Sequence, residues 1–125
     1  MKSIAIVGAG ISALSLARQI QSQFSCQLFE KSAAPGGRVA SRTVAEQRFD
    51  HGAQFFTART PAFKAYIRQL MAEGYVADWQ AHFAELDGNV ITASRQWDEE
   101  FPHYVGVPDM AAIGRVMAKT QAVQF

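Results

Sequence analysis

The run Gly8-Ala9-Gly10-Ile11-Ser12-Ala13 fits GxGxxA, a spacing that lets backbone amides hold a pyrophosphate. Gly8 permits a tight turn, Gly10 lets the main chain approach phosphate without a Cβ in the way, and Ala13 is small enough for close helix packing. The unpaired N–H groups near Ile11 and Ser12, at the positive end of a helix dipole, stabilise anionic oxygens without a lysine. Glu30 follows Gly10 by twenty residues, the distance at which a carboxylate accepts hydrogen bonds from an adenosine ribose and selects a free 2′-hydroxyl. An ordinary tight turn followed by a surface acid is the plain alternative. Glycines, periodicity and acid agree on a dinucleotide, and at this point NAD fits as well as FAD.

Such chemistry requires a strand before the glycines and a helix after them. Lys2 to Val7 is a β-branched and apolar run that reads as a strand buried on both faces. From Ile11, the residues Leu14, Ala17, Ile20 and Phe24 recur at helical spacing, predicting a helix that ends near Phe24 or Ser25. Cys26 to Phe29 then forms a second strand, with Cys26 a buried strand thiol, and the three elements make a parallel βαβ crossover. A loop follows through Gly37, carrying charge at Lys31 and Arg38.

Further along, Thr60 is an N-cap with Pro61 at the first helical position, and Phe63, Ile67, Leu70 and Met71 line one face as far as Gly74. Val76–Leu86 and Asn89–Ala93 flank Asp87-Gly88 and predict an antiparallel hairpin. Tyr104 to Val107 reads as a short strand. Asp109 caps a helix from Met110 to about Lys119, with Met110, Ile113, Met117 and Ala118 inward. Gln121 to Phe125 starts a strand with no element left to pair with it, and we read the chain as a truncated product or fragment. The fold class is α/β: a Rossmann-like FAD/NAD(P)-binding βαβ unit (1–57), a partial antiparallel α+β substrate-domain segment (58–107), and a helix and strand returning toward the first unit (108–125).

Twelve Lys and Arg against eleven Asp and Glu, a net charge of +1, leave no basic stripe for nucleic acid, so a small molecule is the expected partner. The apolar run at Ile4–Val7 is broken by glycines long before it would span a bilayer. One cysteine forms neither an internal disulfide nor a CxxC pair, so a metal-free, cytoplasmic protein is expected. Asp98-Glu99-Glu100 reads as a solvated loop.

Together with the fingerprint and Glu30, the segments Pro35-Gly36-Gly37-Arg38, Phe49-Asp50-His51-Gly52-Ala53-Gln54-Phe55-Phe56 and Tyr104-Val105-Gly106-Val107-Pro108 resemble renalase-like members of the FAD-dependent amine oxidase superfamily. The resemblance implies FAD as cofactor, with Gly37 and Arg38 beside flavin and pyrophosphate, and Gly52, Ala53, Gln54 and Phe55 along the isoalloxazine. It implies oxidation of an amine or dihydropyridine-like molecule by hydride transfer to flavin. The expected cofactor-binding set is Gly8, Gly10, Ile11, Ser12, Glu30, Lys31, Gly37, Arg38, Gly52, Ala53, Gln54 and Phe55. No catalytic residue is assigned: His51 beside Asp50 reads as a local hydrogen-bonding residue. Two other readings stay open, an NAD-binding fragment and a non-catalytic remnant or partner-binding module that self-associates through uncompleted sheet or apolar surface.

Overall fold

The computed structural model describes residues 1–125. In chain order the elements are β1 (Lys2–Val7), α1 (Ile11–Ile20), β2 (Phe24–Phe29), β3 (Arg42–Val44), β4 (Gln47–Phe49), α2 (Pro61–Ala72) and β5 (Val76–Asp78). There follow β6 (His82–Asp87), β7 (Val90–Gln96), β8 (Tyr104–Gly106), α3 (Ala111–Ala118) and β9 (Ala122–Gln124). The parallel sheet has the order β1-β2-β9, and three two-stranded antiparallel pairs, β3-β4, β5-β8 and β6-β7, lie outside it. The predicted βαβ crossover is therefore present, with Ile4 opposite Cys26 and Val7 opposite Phe29.

One core joins the helices to the sheet: Leu14 and Ala17 of α1, Leu28 of β2, Ile67 and Leu70 of α2, and Ile113 and Met117 of α3 share a single buried cluster. Burying each large aliphatic side chain stabilises the fold by about 1.5–3 kcal/mol. Thr60 caps α2 as expected, its Oγ1 accepting the Phe63 N–H at 3.3 Å. Phe63 and Met71 sit at the margin of that helix face and stay exposed.

Several expectations are corrected. α1 stops at Ile20, and Phe24 and Ser25 belong to β2, because parallel pairing with Lys2 and Ser3 recruits them into the sheet. β1 is not buried on both faces: it is an edge strand, Ile6 packs on the core, and Val7 is 90% exposed. Cys26 is half-buried. The hairpin exists, but its first arm is split. Val76–Asp78 pairs with Tyr104–Gly106 instead, and the Trp79 N–H continues that pairing to the His103 carbonyl at 2.7 Å. Its turn lies at Gly88-Asn89, one residue past the expected dipeptide, since Asp87 pairs with Val90. The last strand does have a partner, β9 pairing in parallel with β2 through Leu28 and Val123. Leading into the Phe49–Phe56 segment, β3 and β4 form a hairpin whose turn residues, Ala45 and Glu46, both have positive φ.

The N-terminus of α3 is tied down by side chains from three places. Asp50 Oδ1 accepts the Met110 N–H at 3.0 Å, Ser41 Oγ accepts the Ala111 N–H at 3.0 Å, and Asp109 Oδ1 accepts the Ala112 N–H at 3.1 Å. The Ser41 hydroxyl in turn donates to Asp50. Asp109 also pairs with Arg115 at 2.8 Å and with Arg48 of β4 at 3.3 Å. Helix ends leave backbone N–H groups unpaired, so these acceptors are what permit α3 to begin inside the structure. Replacing Asp50 with Ala should cost about 1–2 kcal/mol in urea unfolding, while Asp50→Asn, which keeps an acceptor, should cost clearly less. Equal losses in the two variants would show that the Met110 bond is not what Asp50 contributes.

Candidate functional site: the glycine-loop cleft

Gly8 closes β1 with φ +93°, a conformation L side chains rarely adopt, and its N–H donates to the Phe29 carbonyl at 2.7 Å. Ala9 is fully buried beneath the turn. Gly10 then begins α1 without any side-chain cap, the first helical bond running from the Leu14 N–H to the Gly10 carbonyl at 3.0 Å. The first turn of α1 consequently keeps its N–H groups for another acceptor. Beside it lies a cleft of about 530 Å³ lined by Gly8, Gly10, Ile11, Ser12, Gly37 and Arg38, among others. A Cβ built on Gly8 or Gly10 meets nothing within 4 Å, so the space against the backbone is open. Free amides, open space and a helix dipole suit a phosphate-bearing ligand.

Glu30 stands at the end of β2 and reaches back to the turn. Its Oε2 accepts the Ala9 N–H at 2.7 Å and its Oε1 the Ser32 N–H at 2.8 Å. The Ala9 amide, then the Ser32 amide, hold the carboxyl below its ordinary value of 4.5. Each carboxylate oxygen has a second lone pair, so clamping the turn leaves acceptor capacity for a ribose hydroxyl.

The opposite wall is the Gly36-Gly37-Arg38 loop. The Gly36 N–H donates to the Ala9 carbonyl at 2.8 Å, and a Cβ on Gly37 would lie 3.3 Å from the Gly10 Cα. The Arg38 carbonyl accepts the Ala53 N–H at 2.9 Å, and a side chain at Gly52 would collide with that carbonyl oxygen. The fold thus brings Gly8–Ser12, Gly37-Arg38 and Gly52-Ala53 together. It does not bring Lys31 into the cleft: Lys31 lines a separate shallow depression with Phe29, Glu30, Gln124 and Phe125. Ala53 also lines an apolar cavity of about 240 Å³ beneath Ile11 and Val39, Gln54 is exposed, and Phe55 joins an aromatic cluster.

Three residues that support the cleft escape sequence reasoning. Asp50 and Ser41 act through α3; Asp50 stands within the Phe49–Phe56 segment, which gave it no such role, and Ser41 stands in no motif. Gly114 lies mid-helix, where a Cβ would sit 2.6 Å from the Gly36 Cα and 3.0 Å from the Pro35 carbonyl oxygen. A glycine inside a helical pattern was the available signal.

Two outcomes follow from this geometry. Gly114→Ala gains about 1 kcal/mol of helix propensity but forces backbone apart, which costs about 1–3 kcal/mol, so thermal unfolding should show net destabilisation. A rise in melting temperature would mean the helix and loop are not in contact. Because the folded state lowers the Glu30 pKa, the clamp stabilises the protein above pH 4.5 and is lost as pH falls through the folded-state value. Unfolding measured from pH 7 down to 3 should therefore show a weaker acid dependence for Glu30→Gln than for the parent.

Comparison with known proteins places this geometry. Residues 6–70 match the family described as the NAD(P)-binding Rossmann-like domain. Among solved structures, a proposed protoporphyrinogen oxidase from Exiguobacterium sp. 255-15 is 21% identical, with a TM-score of 0.51 over 72% of this chain and 21% of its own. A CLA-producing fatty acid isomerase from P. acnes is 22% identical, with a TM-score of 0.50 over 71% of this chain and 21% of its own. A double mutant of putrescine oxidase from a redesign of cofactor binding is 23% identical, with a TM-score of 0.50 over 78% of this chain and 21% of its own. The chain thus spans about a fifth of the length of these structures, and at such identities the likeness is one of fold. With more than half of its residues matched, including the glycine turn, Glu30 and the Gly36-Gly37-Arg38 loop, this chain belongs to the NAD(P)-binding Rossmann-like domain family.

Proposed function

We propose that this chain is the cofactor-binding N-terminal part of an FAD-dependent oxidoreductase of the renalase-like amine oxidase kind. The observation that carries this reading is the second wall of the cleft. A mononucleotide-binding turn alone would serve NAD, but here Gly37-Arg38 faces the first turn of α1 across the cleft, with Gly52-Ala53 fastened by backbone behind it. A second wall bearing an arginine is what a flavin dinucleotide would use beyond the glycine turn. The cofactor redesign of putrescine oxidase and the name of the Exiguobacterium protein agree with an oxidoreductase.

When bound, the flavin supplies the chemistry by accepting a hydride from an amine or dihydropyridine-like substrate. The chain's own residues bind and orient. Gly8, Gly10, Ile11 and Ser12 offer backbone N–H groups and, at Ser12, a hydroxyl to the pyrophosphate. Glu30 orders the turn through Ala9 and receives the ribose. Arg38, exposed at the cleft, adds several donors and a positive charge. Gly37, Gly52 and Ala53 let the main chain lie flat, with Gln54 and Phe55 toward the flavin. In this reading residues 1–57 are the FAD segment, 58–107 begin the substrate domain, and 108–125 return to the sheet.

No helix is long and apolar enough to cross a membrane. A cytoplasmic location, a small-molecule substrate, and self-association through the free edges of β1 and β9 complete the proposal. NAD is the second reading, favoured by the family match over residues 6–70.

The experiment is the visible spectrum of purified protein after incubation with FAD and gel filtration. Retained flavin absorbance, weakened about tenfold or more in affinity by Arg38→Ala through loss of a charged contact, is the expected result. Retention of NAD without FAD would replace the leading reading by the second.

A further inference from the structure

The β6-β7 hairpin and its neighbours build an aromatic surface of which the proposed cofactor site uses Phe55 alone. Trp97 is sandwiched between Phe83, with centroids 4.1 Å apart and planes 22° from parallel, and His103, at 3.9 Å and 11°. Phe55 leans on Trp97, His103 and Trp79 at 5.9, 4.9 and 5.7 Å. The Arg95 guanidinium closes the far end of the stack, 4.9 Å above Phe83. The near end is open: Phe55 is 39% and Trp79 37% exposed.

The segment that carries most of this surface is acidic. From Asp78 to His103 the chain carries six carboxylates, at Asp78, Glu85, Asp87, Asp98, Glu99 and Glu100, and one arginine, Arg95. That is a net charge of −5, so the remainder of the chain carries +6 of the total +1. Three of those acids form the loop that runs from Trp97 to His103, folded by the Glu100 N–H donating to Asp98 Oδ1 at 2.9 Å. Exposed rings on so acidic a segment attract a cation through the ring quadrupoles and through Coulomb attraction, and flat faces favour a flat one.

We propose that the Phe55–Trp79–Trp97 cluster is a docking surface for planar aromatic cations. Taken with the proposed oxidoreductase, which this inference needs for its catalytic meaning, it is the surface that selects a ring-bearing cationic substrate. Trp79 supplies the exposed face, Trp97 and His103 stiffen it from behind, and Asp98, Glu99 and Glu100 set the sign of the charge.

The chain's two tryptophans are both in the cluster, so its intrinsic fluorescence reports on this surface. Flavin-free protein is titrated with benzamidine, a planar aromatic cation, with its neutral isostere benzamide, and with the aliphatic cation acetamidine. Benzamidine should give a saturable emission change with an affinity about tenfold above that of either control, and added salt should weaken it. Trp79→Ala should abolish the saturable response still readable at Trp97. The combined Asp98→Asn, Glu99→Gln and Glu100→Gln variant, which alters exposed side chains only, should bring benzamidine down to the level of benzamide. Equal binding of benzamidine and benzamide, no saturable response, or an unchanged response in the triple variant each overturns the proposal. Protein that retains FAD but ignores benzamidine sinks this inference alone. Protein that binds benzamidine but retains no FAD sinks the cofactor reading alone.

Discussion

The arrangement of the cleft depends on how two helix N-termini are treated, that of α1 at the cleft and that of α3 behind its loop wall. α3 is fully provided for: Asp50, Ser41 and Asp109, brought from two loops and from the helix's own threshold, accept its first N–H groups. α1 is left uncapped, with a glycine where Ser, Thr, Asp or Asn would ordinarily accept those bonds. A buried helix end without acceptors is costly, so α3 can lie inside only because the loops come to it. The same bonds pin residues 41–50, and through them Gly52-Ala53, against the Arg38 backbone. One helix thereby organises the protein's own loops, while the other keeps its donors free for an anion.

Small residues then set the dimensions. Gly114 lets α3 approach Pro35-Gly36, and Gly37 lets that loop approach Gly10, so helix, loop and glycine turn are stacked at backbone contact distance. Interiors packed this closely transmit displacement instead of absorbing it. A methyl group at Gly114 therefore acts on the cleft although Gly114 does not line it. Glu30 is the polar counterpart of this packing, since its carboxylate holds the turn through the Ala9 amide.

The chain also separates its charges along the sequence. The Rossmann-like part has an open cleft with backbone donors and an exposed arginine, while residues 78–103, which hold most of the aromatic cluster, carry six carboxylates and one arginine.

What could be read along the chain was whatever a short stretch decides for itself. The glycine turn before α1, the Thr60-Pro61 helix start and the Asp109 cap rest on local backbone geometry or on bonds within a few residues, and each stands within a residue or two of its expected place. Glu30 was legible by its spacing from the turn, but its bond to Ala9 needed the pairing of β1 with β2. The β6-β7 hairpin was legible for the same reason, its turn displaced by one position. Tertiary structure decided everything that needed a distant partner. It assigned Val76–Asp78 to β8 and not to the hairpin, drew Phe24 and Ser25 out of the helix into β2, and gave β9 its place beside β2. It also made Asp50 a cap for a helix sixty residues away and turned Gly114 into a contact. Periodicity states that a segment has an apolar face or an unpaired edge, and it carries no information about which remote segment will cover it.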